Sequence, residues 1–220
     1  GVVVRFMAGT NLICNGVLDI LGDSTNRVLF TSREASPIPG DWGNVSLYAE
    51  GNYISYLDYA FATDGLTGDS ISYTTIDNMV MAGNLSLSAN GMYFTNSSNL
   101  TLTNNTISVA GDYGIYSPGS PNSMVNGNDI SGVDYGIYSS DSPNSLVDNN
   151  EISGISNGLY FGNSSNLTIT SNTISTDGYG IYSPYSPNSM VEGNDVSGFS
   201  GIQAYCGVSI QNSDNLQIIE

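Results

Sequence analysis

The sequence predicts an all-β fold, a parallel β-helix (solenoid) of about nine coils with a 22-residue repeat. Six similar segments each begin at a glycine, and the four central ones are spaced by 22 residues: Gly91, Gly114, Gly136, Gly158, Gly180 and Gly207. Apolar residues within each segment recur with period two, which indicates strands rather than helices. A segment of this length cannot enclose a core alone, so it has to stack on its neighbours.

Three apolar columns emerge when the segments are aligned, and each predicts a ladder that faces the interior. The first contains Met92, Ile115, Ile137, Leu159, Ile181 and Val208. The second contains Leu102, Val125, Val147, Ile169, Val191 and Ile218. The third contains Ile107, Ile130, Ile152, Ile174 and Val196. Three inward ladders fit a coil of three short strands.

Two asparagine columns accompany these ladders, and we interpret both as structural. One contains Asn99, Asn122, Asn144, Asn166, Asn188 and Asn215, and the other contains Asn105, Asn128, Asn150, Asn172 and Asn194. Asparagine tolerates the left-handed backbone conformation of tight turns. Stacked asparagine amides also form hydrogen bonds from one coil to the next.

We expect a single β-helix domain over residues 1–220, with less regular N-terminal coils over 1–42 and regular coils over 43–220. The sequence opens directly on a strand-like run of valines, so we take it as a piece of a longer chain. Cys14 and Cys206 would lie eight coils apart, about 40 Å at the usual strand spacing. A disulfide within the chain is therefore excluded by this fold, and two free thiols are expected.

The charge balance restricts the partners. The chain has 20 acidic residues, only three basic ones (Arg5, Arg27 and Arg33), no histidine, and a net charge of −17. Such a surface repels nucleic acids and anionic membranes. No segment is apolar enough to span a membrane. We expect no cofactor, with calcium as the one metal ion that the composition suits.

The repeats, together with GTNLICNGVLDILGDSTNRVLFTS and PGDWGNVSL, resemble the right-handed parallel β-helix repeat family of secreted and cell-surface proteins of bacteria and archaea. The resemblance covers essentially the whole chain and implies a right-handed solenoid. It does not imply one activity, because the family includes polysaccharide lyases and hydrolases, epimerases, adhesins and surface-coat proteins.

The residues argue against a lyase and leave a hydrolase as an alternative. Lyases of this fold typically use an arginine or lysine base beside calcium, and no basic side chain follows Arg33. A neutral-sugar glycosidase needs only two carboxylates, and Asp129 and Glu151 occupy one column in adjacent coils. An acidic, solvated ridge gives the same pattern, and we favour that interpretation. A calcium ion shared by Asp129, Asp148 and Glu151 is an intermediate hypothesis.

A column of tyrosines is the strongest candidate for binding a carbohydrate or a protein partner: Tyr93, Tyr116, Tyr138, Tyr160 and Tyr182. Each lies beside an inward position, so its side chain should point outward. Tyr113, Tyr135 and Tyr179 precede the repeat glycine and are placed to flank the column. Stacking of like residues along the sheet is the structural interpretation, and an aromatic track for sugar rings is the functional one.

Seven N-x-S/T sequons favour a glycosylated protein outside the cell: Asn44, Asn84, Asn96, Asn99, Asn104, Asn163 and Asn166. The sequence thus predicts a non-catalytic extracellular structural or adhesive protein of a cell surface or sheath. Its expected partners are further copies of itself, through head-to-tail or lateral assembly, or a cell-surface glycan. The alternative is a carbohydrate-binding or glycoside hydrolase-like β-helix module.

Overall fold

The computed structural model describes residues 1–82, 85, 89–198 and 207–219, and every regular element in these ranges is a β-strand. The strands form three parallel sheets, here called A, B and C, with nine strands each over the described residues. The chain visits the sheets in the order A, B, C and then repeats, so each circuit is one coil. The predicted parallel β-helix of about nine coils is therefore confirmed.

The strands are short, and their bounds are as follows. Sheet A contains Val3–Phe6, Val28–Ser32, Leu57–Tyr59, Val80–Ala82, Thr106–Ser108, Asp129–Ser131, Glu151–Ile155, Thr173–Thr176 and Asp195–Gly198. Sheet B contains Leu12–Cys14, Val45–Leu47, Leu66–Asp69, Met92–Thr95, Tyr113–Tyr116, Tyr135–Tyr138, Asn157–Tyr160, Ile181–Tyr182 and Val208–Ser209. Sheet C contains Asp19–Leu21, Tyr53–Ser55, Thr75–Asp77, Thr101–Thr103, Met124–Asn126, Leu146–Asp148, Thr168–Thr170, Met190–Glu192 and Gln217–Ile219.

The strand register shows where the coils are regular. In sheet A, Val3 pairs with Leu29 and Leu29 with Asp58, so the first coils contain 26 and 29 residues. Asp129 pairs with Glu151, an offset of 22 residues that the following two coils keep. All three predicted apolar ladders are in register across their sheets. Most of their members are fully buried.

Aromatic side chains join the aliphatic ladders in the interior of the N-terminal coils. The Phe6 ring stacks on Trp42 with centroids 4.1 Å apart, and Trp42 also contacts Tyr59 at 5.0 Å. Trp42 is fully buried, and its indole N–H donates to the Ala60 carbonyl. This tryptophan therefore packs the interior of the N-terminal coils.

Each turn from sheet C to sheet A contains two residues. The sequence predicted that one asparagine would both adopt the left-handed conformation and bond to the next coil, but these two roles belong to different residues of the turn. The second residue is the buried asparagine of the column from Asn105 to Asn194, and its amide bonds to the asparagine of the next coil at 2.8–2.9 Å. The left-handed conformation falls instead on the first residue, for example Asn104, Gly127 and Asn149. In the other asparagine column every member has a positive φ, as predicted.

Buried serines link the turns from sheet B to sheet C. The set that repeats from coil to coil is Ser97, Ser120, Ser142, Ser164 and Ser186. The backbone N–H of each donates to the hydroxyl oxygen of the next, at 2.9–3.1 Å for the first four pairs. These hydroxyls satisfy backbone donors that the tight turn removes from water.

The repeat glycine is required by close packing of the coils. A Cβ placed on Gly136 would lie 2.5 Å from the Ile152 methyl group and 2.9 Å from the Gly158 carbonyl oxygen. The equivalent glycines of the neighbouring coils meet the same two kinds of atom. The backbone therefore approaches the next coil more closely than any larger residue permits.

Candidate functional site

The predicted tyrosine column lies on the outer face of sheet B. Tyr116 alternates with the inward Ile115, and the column stays in register from coil to coil. Ring centroids are 4.3 Å apart for Tyr93–Tyr116, 5.2 Å for Tyr116–Tyr138, and 4.4 Å for Tyr138–Tyr160. These three pairs are stacked, whereas Tyr160 and Tyr182 are tilted by 49° at 5.4 Å. Much of each ring face is therefore covered by the next tyrosine.

A second tyrosine column lies beside the first and contacts it at ring angles between 31° and 87°. Tyr113 and Tyr135 are register neighbours with centroids 5.5 Å apart. The Tyr135 ring is nearly perpendicular to Tyr138, at 87°, and Tyr179 lies 4.8 Å from Tyr182. We call the combined patch the tyrosine surface; it comprises Tyr93, Tyr113, Tyr116, Tyr135, Tyr138, Tyr160, Tyr179 and Tyr182. All its members are partly exposed.

Crowding raises the pKa of three of these phenols. Loss of hydration, together with the adjacent Tyr93, raises the pKa of Tyr116 to about 12. Loss of hydration is also the main cause that raises the pKa of Tyr113 and of Tyr160. The tyrosine surface presents ring edges and hydroxyl groups to water.

The second tyrosine column is interrupted at Asn157, and a cleft lies at the interruption. Asn157 pairs with Tyr135 in the sheet register, and its side-chain oxygen accepts a hydrogen bond from the Tyr179 backbone N–H at 3.4 Å. The cleft has a volume of about 390 Å³. It is lined by Tyr135, Asn157, Leu159, Tyr160, Tyr179 and Tyr182. We call it the Asn157 cleft.

Asp129 and Glu151 are direct neighbours in sheet A. Both are exposed, and they border a shallow cavity of about 290 Å³ over the turn from sheet C to sheet A. Thr106 and Thr173 flank the pair along the same column. The two carboxylates therefore stand side by side in water, an arrangement that suits the predicted acidic ridge and also leaves room for a ligand.

Asp148, the third acid of the calcium hypothesis, belongs to sheet C rather than sheet A. Its two carboxylate oxygens accept hydrogen bonds from Thr170 Oγ1 at 2.6 Å and from Asn126 Nδ2 at 2.9 Å, which hold it in its own sheet. No group of three acidic, histidine or cysteine side chains in the described ranges is arranged to hold a metal ion. The structure does not bring Asp129, Asp148 and Glu151 together as one such group.

Beside the tyrosine surface lies a groove that the sequence analysis did not single out. It has a volume of about 400 Å³, and its walls include Asp134, Ser156 and Asp177. The Ser156 hydroxyl donates to Asp134 Oδ1 at 3.3 Å. In the sequence, this groove is indicated by an aspartate that lies one or two residues before each tyrosine of the second column. We call it the acidic groove.

The predicted sequons differ in accessibility. Asn96, Asn104, Asn163 and Asn166 are exposed, whereas Asn44 and Asn99 are half-buried. Asn84 lies outside the described residues. Several of these amides already bond between coils, such as Asn166 Nδ2 with Asn144 Oδ1 at 2.9 Å.

Two further sequence predictions concern the thiols and the membrane. Cys14 is a free, partly buried thiol whose pKa is raised by burial, and Cys206 lies outside the described residues. Over the ranges that the structure describes, no helix has the length and apolar character needed to cross a membrane.

The family model of the right-handed β-helix region matches residues 64–219, which is more than half of the chain. The chain therefore belongs to the right-handed β-helix family. No curated protein matches it in sequence.

Among solved structures, the chain is similar to a GH136 lacto-N-biosidase from Eubacterium ramulus (TM-score 0.53, 10% identity, 98% of this chain and 63% of that one). It is also similar to the catalytic domain of a GH87 α-1,3-glucanase in complex with nigerose (TM-score 0.51, 12% identity, 98% and 60%). A third similar structure is the Dettilon tailspike protein (TM-score 0.50, 14% identity, 97% and 56%). The chain spans less than two thirds of each of these proteins, and such low identity shows a shared fold.

Proposed function

We propose that this chain is a non-catalytic, extracellular carbohydrate-binding module that holds a glycan against the tyrosine surface. The observation that carries the proposal is the tyrosine surface itself. Eight tyrosines lie on one outer sheet face, and a cleft opens among them. The exposed ring edges and hydroxyl groups of the tyrosines offer a sugar both apolar contact and hydrogen bonds.

The rigidity of the scaffold supports a binding role. The coils are joined by the sheet ladders and by the asparagine and serine columns, so the tyrosines are held in place before a ligand arrives. A preorganised surface loses little conformational entropy on binding. Two of the similar structures are named for proteins that act on carbohydrates, which agrees with a carbohydrate as the ligand class.

Substitution in the first tyrosine column tests the proposal. A glycan array should identify a glycan that the wild-type chain binds, and calorimetry should then measure its affinity. We expect the double variant Tyr116→Ala/Tyr138→Ala to bind about tenfold more weakly or worse, which corresponds to about 1.4 kcal/mol. Tyr53→Ala is the matched control, because Tyr53 is an exposed strand tyrosine on sheet C. Equal affinity of the double variant and the control would refute the proposal.

A glycoside hydrolase is the second candidate, and the register of Asp129 with Glu151 is the observation that favours it. Adjacent strands are about 4.8 Å apart, close to the roughly 5–5.5 Å that separates the two carboxyl groups of retaining glycosidases. We place it second because both acids are exposed, whereas the general acid of such an enzyme usually lies in an apolar pocket. If the wild-type chain hydrolyses a neutral polysaccharide, and Asp129→Asn and Glu151→Gln abolish that activity, the glycoside hydrolase becomes the first candidate.

Attachment to a cell surface or sheath fits the same proposal. The exposed sequons at Asn96 and Asn163 lie on the turns from sheet B to sheet C. Self-assembly remains the alternative way to use the tyrosine surface. Sedimentation velocity across salt and calcium concentrations distinguishes the two, because a monomer that binds glycan rules out assembly as the main role of this face.

A further inference from the structure

The second tyrosine column shows where the sheet departs from its own repeat. Tyr113 and Tyr135 are register neighbours, and the next residue in the register is Asn157. The backbone N–H of Tyr179, in the following coil, donates a hydrogen bond to the Asn157 side chain. An asparagine ends several ångströms short of a phenol ring. One tyrosine is therefore missing from the column, and the Asn157 cleft occupies its place.

The dimensions of the cleft suit one saturated six-membered ring. Tyr135 and Tyr179 bound it along the solenoid axis from positions two coils apart, or about 9.6 Å at the usual strand spacing. A ligand ring in van der Waals contact with both sides needs roughly 4 Å on each side, about 8 Å in all. The volume of about 390 Å³ lies at the small end of the range for ligand pockets. The cleft is thus sized for a single sugar unit rather than for a stack of several.

The groups around the cleft select a neutral sugar. Four of its lining residues are tyrosines, the other two are Asn157 and Leu159, and no aspartate, glutamate, lysine or arginine lines it. The Asn157 amide adds hydrogen-bonding groups that match sugar hydroxyls. Asp134, the residue before Tyr135, lies in the adjacent acidic groove, and the whole chain has a net charge of −17. These negative charges would repel an anionic sugar such as a uronate.

We infer that the Asn157 cleft is a subsite for a single neutral hexopyranose unit, held between Tyr135 and Tyr179 with Asn157 at its base. This inference rests on the proposed carbohydrate-binding function, because it assigns one position on the tyrosine surface to one sugar unit. The rest of the surface contacts the neighbouring units of the same glycan.

Asn157→Tyr is the sharpest test, because it fills the cleft with the residue that the column already has in neighbouring coils. The variant should fold normally, since Tyr113 and Tyr135 occupy equivalent positions. Ligand-observed NMR measures the binding of four probes: methyl glucoside, methyl galactoside, methyl mannoside and the methyl glycoside of glucuronic acid. We expect wild-type chain to bind at least one neutral glycoside and not the uronide, and Asn157→Tyr to weaken that binding about tenfold or more.

The outcomes separate this inference from the function on which it rests. If Asn157→Tyr keeps full affinity for a glycan that Tyr116→Ala/Tyr138→Ala loses, the tyrosine surface binds glycan and the subsite is wrong. Preference for the uronide over the neutral glycosides would also overturn the subsite. If the wild-type chain binds no glycan and no methyl glycoside, the proposed function and the inference both fail. Tyr53→Ala controls for nonspecific loss of affinity.

Discussion

Replacing Asn150 by alanine tests whether the buried asparagine column holds the coils together. The Asn150 side-chain oxygen accepts hydrogen bonds from the backbone N–H of Asn128 at 3.0 Å and from the Asn128 amide at 2.9 Å. Its own amide donates to the Val125 carbonyl at 3.0 Å, to the Asp148 carbonyl at 3.1 Å and to Asn172 Oδ1 at 2.8 Å. One buried side chain thus connects three coils.

The expected cost follows from these contacts. Alanine leaves the buried Asn128 N–H without the acceptor that Asn150 provides, which costs about 1–3 kcal/mol. The Asn150 amide has two N–H hydrogens, which together supply about two full hydrogen bonds of about 1 kcal/mol each. Together they predict a loss of roughly 3–5 kcal/mol in the free energy of unfolding, a large share of the 5–15 kcal/mol that is typical of a folded domain.

Urea denaturation followed by circular dichroism measures this loss. Asn144→Ala is the matched control, because Asn144 lies in the same coil and also stacks on neighbouring asparagines, but it is exposed. Its φ of 61° predicts a cost of only about 1–2 kcal/mol on substitution by alanine. Similar losses for Asn150→Ala and Asn144→Ala would refute the view that the buried column stabilises the solenoid.

Three further predictions concern other parts of the scaffold. Arg27→Gln removes the 2.6 Å ion pair with Asp58 and should lower the free energy of unfolding in urea by about 1–2 kcal/mol; no change would mean that solvent competes fully for the pair. Because the folded pKa of Tyr116 is raised to about 12 from an ordinary value near 10, its contribution to stability is complete below about pH 10 and is lost as the pH rises towards 12. Ultraviolet titration of wild-type chain minus Tyr116→Phe should show this late tyrosinate, and a difference centred near pH 10 contradicts the assignment. Gly136→Ala should destabilise by about 1–3 kcal/mol, whereas Gly16→Ala, with open space around its Cβ, should not; equal melting temperatures for the two variants would contradict the close-packing argument.

The fold could be predicted from the sequence because equivalent positions in successive coils of a solenoid share one environment and therefore carry similar residues. A residue type that recurs every 22 positions, such as the isoleucines at 115 and 137, occupies the same place in every coil and so reveals its environment. The exposed tyrosine column followed from its position beside this ladder. The less regular coils before Trp42 gave weaker signals, because their lengths vary and aromatic side chains pack among the aliphatic ones there.

Other features could not be predicted because they depend on the exact path of the backbone. The left-handed residue in the turn from sheet C to sheet A is Asn149 rather than its neighbour Asn150, and both are asparagines. Only the side-chain hydrogen bonds distinguish the two roles. The alternation of Asn104, Gly127 and Asn149 at the first position was the available signal, since these residues share a tolerance for positive φ.

A periodic scaffold has a particular consequence for the location of a binding site. Where every coil is identical, a ligand meets the same surface at each step and can slide along it without preference. A defined position requires a departure from the repeat, and on the tyrosine surface that departure is Asn157. The same columns that predict the fold make this position easy to overlook, because an alignment of the repeats emphasises the common tyrosine rather than the single asparagine. In this chain the exception leaves a cleft between Tyr135 and Tyr179, whereas the common tyrosine would have filled it.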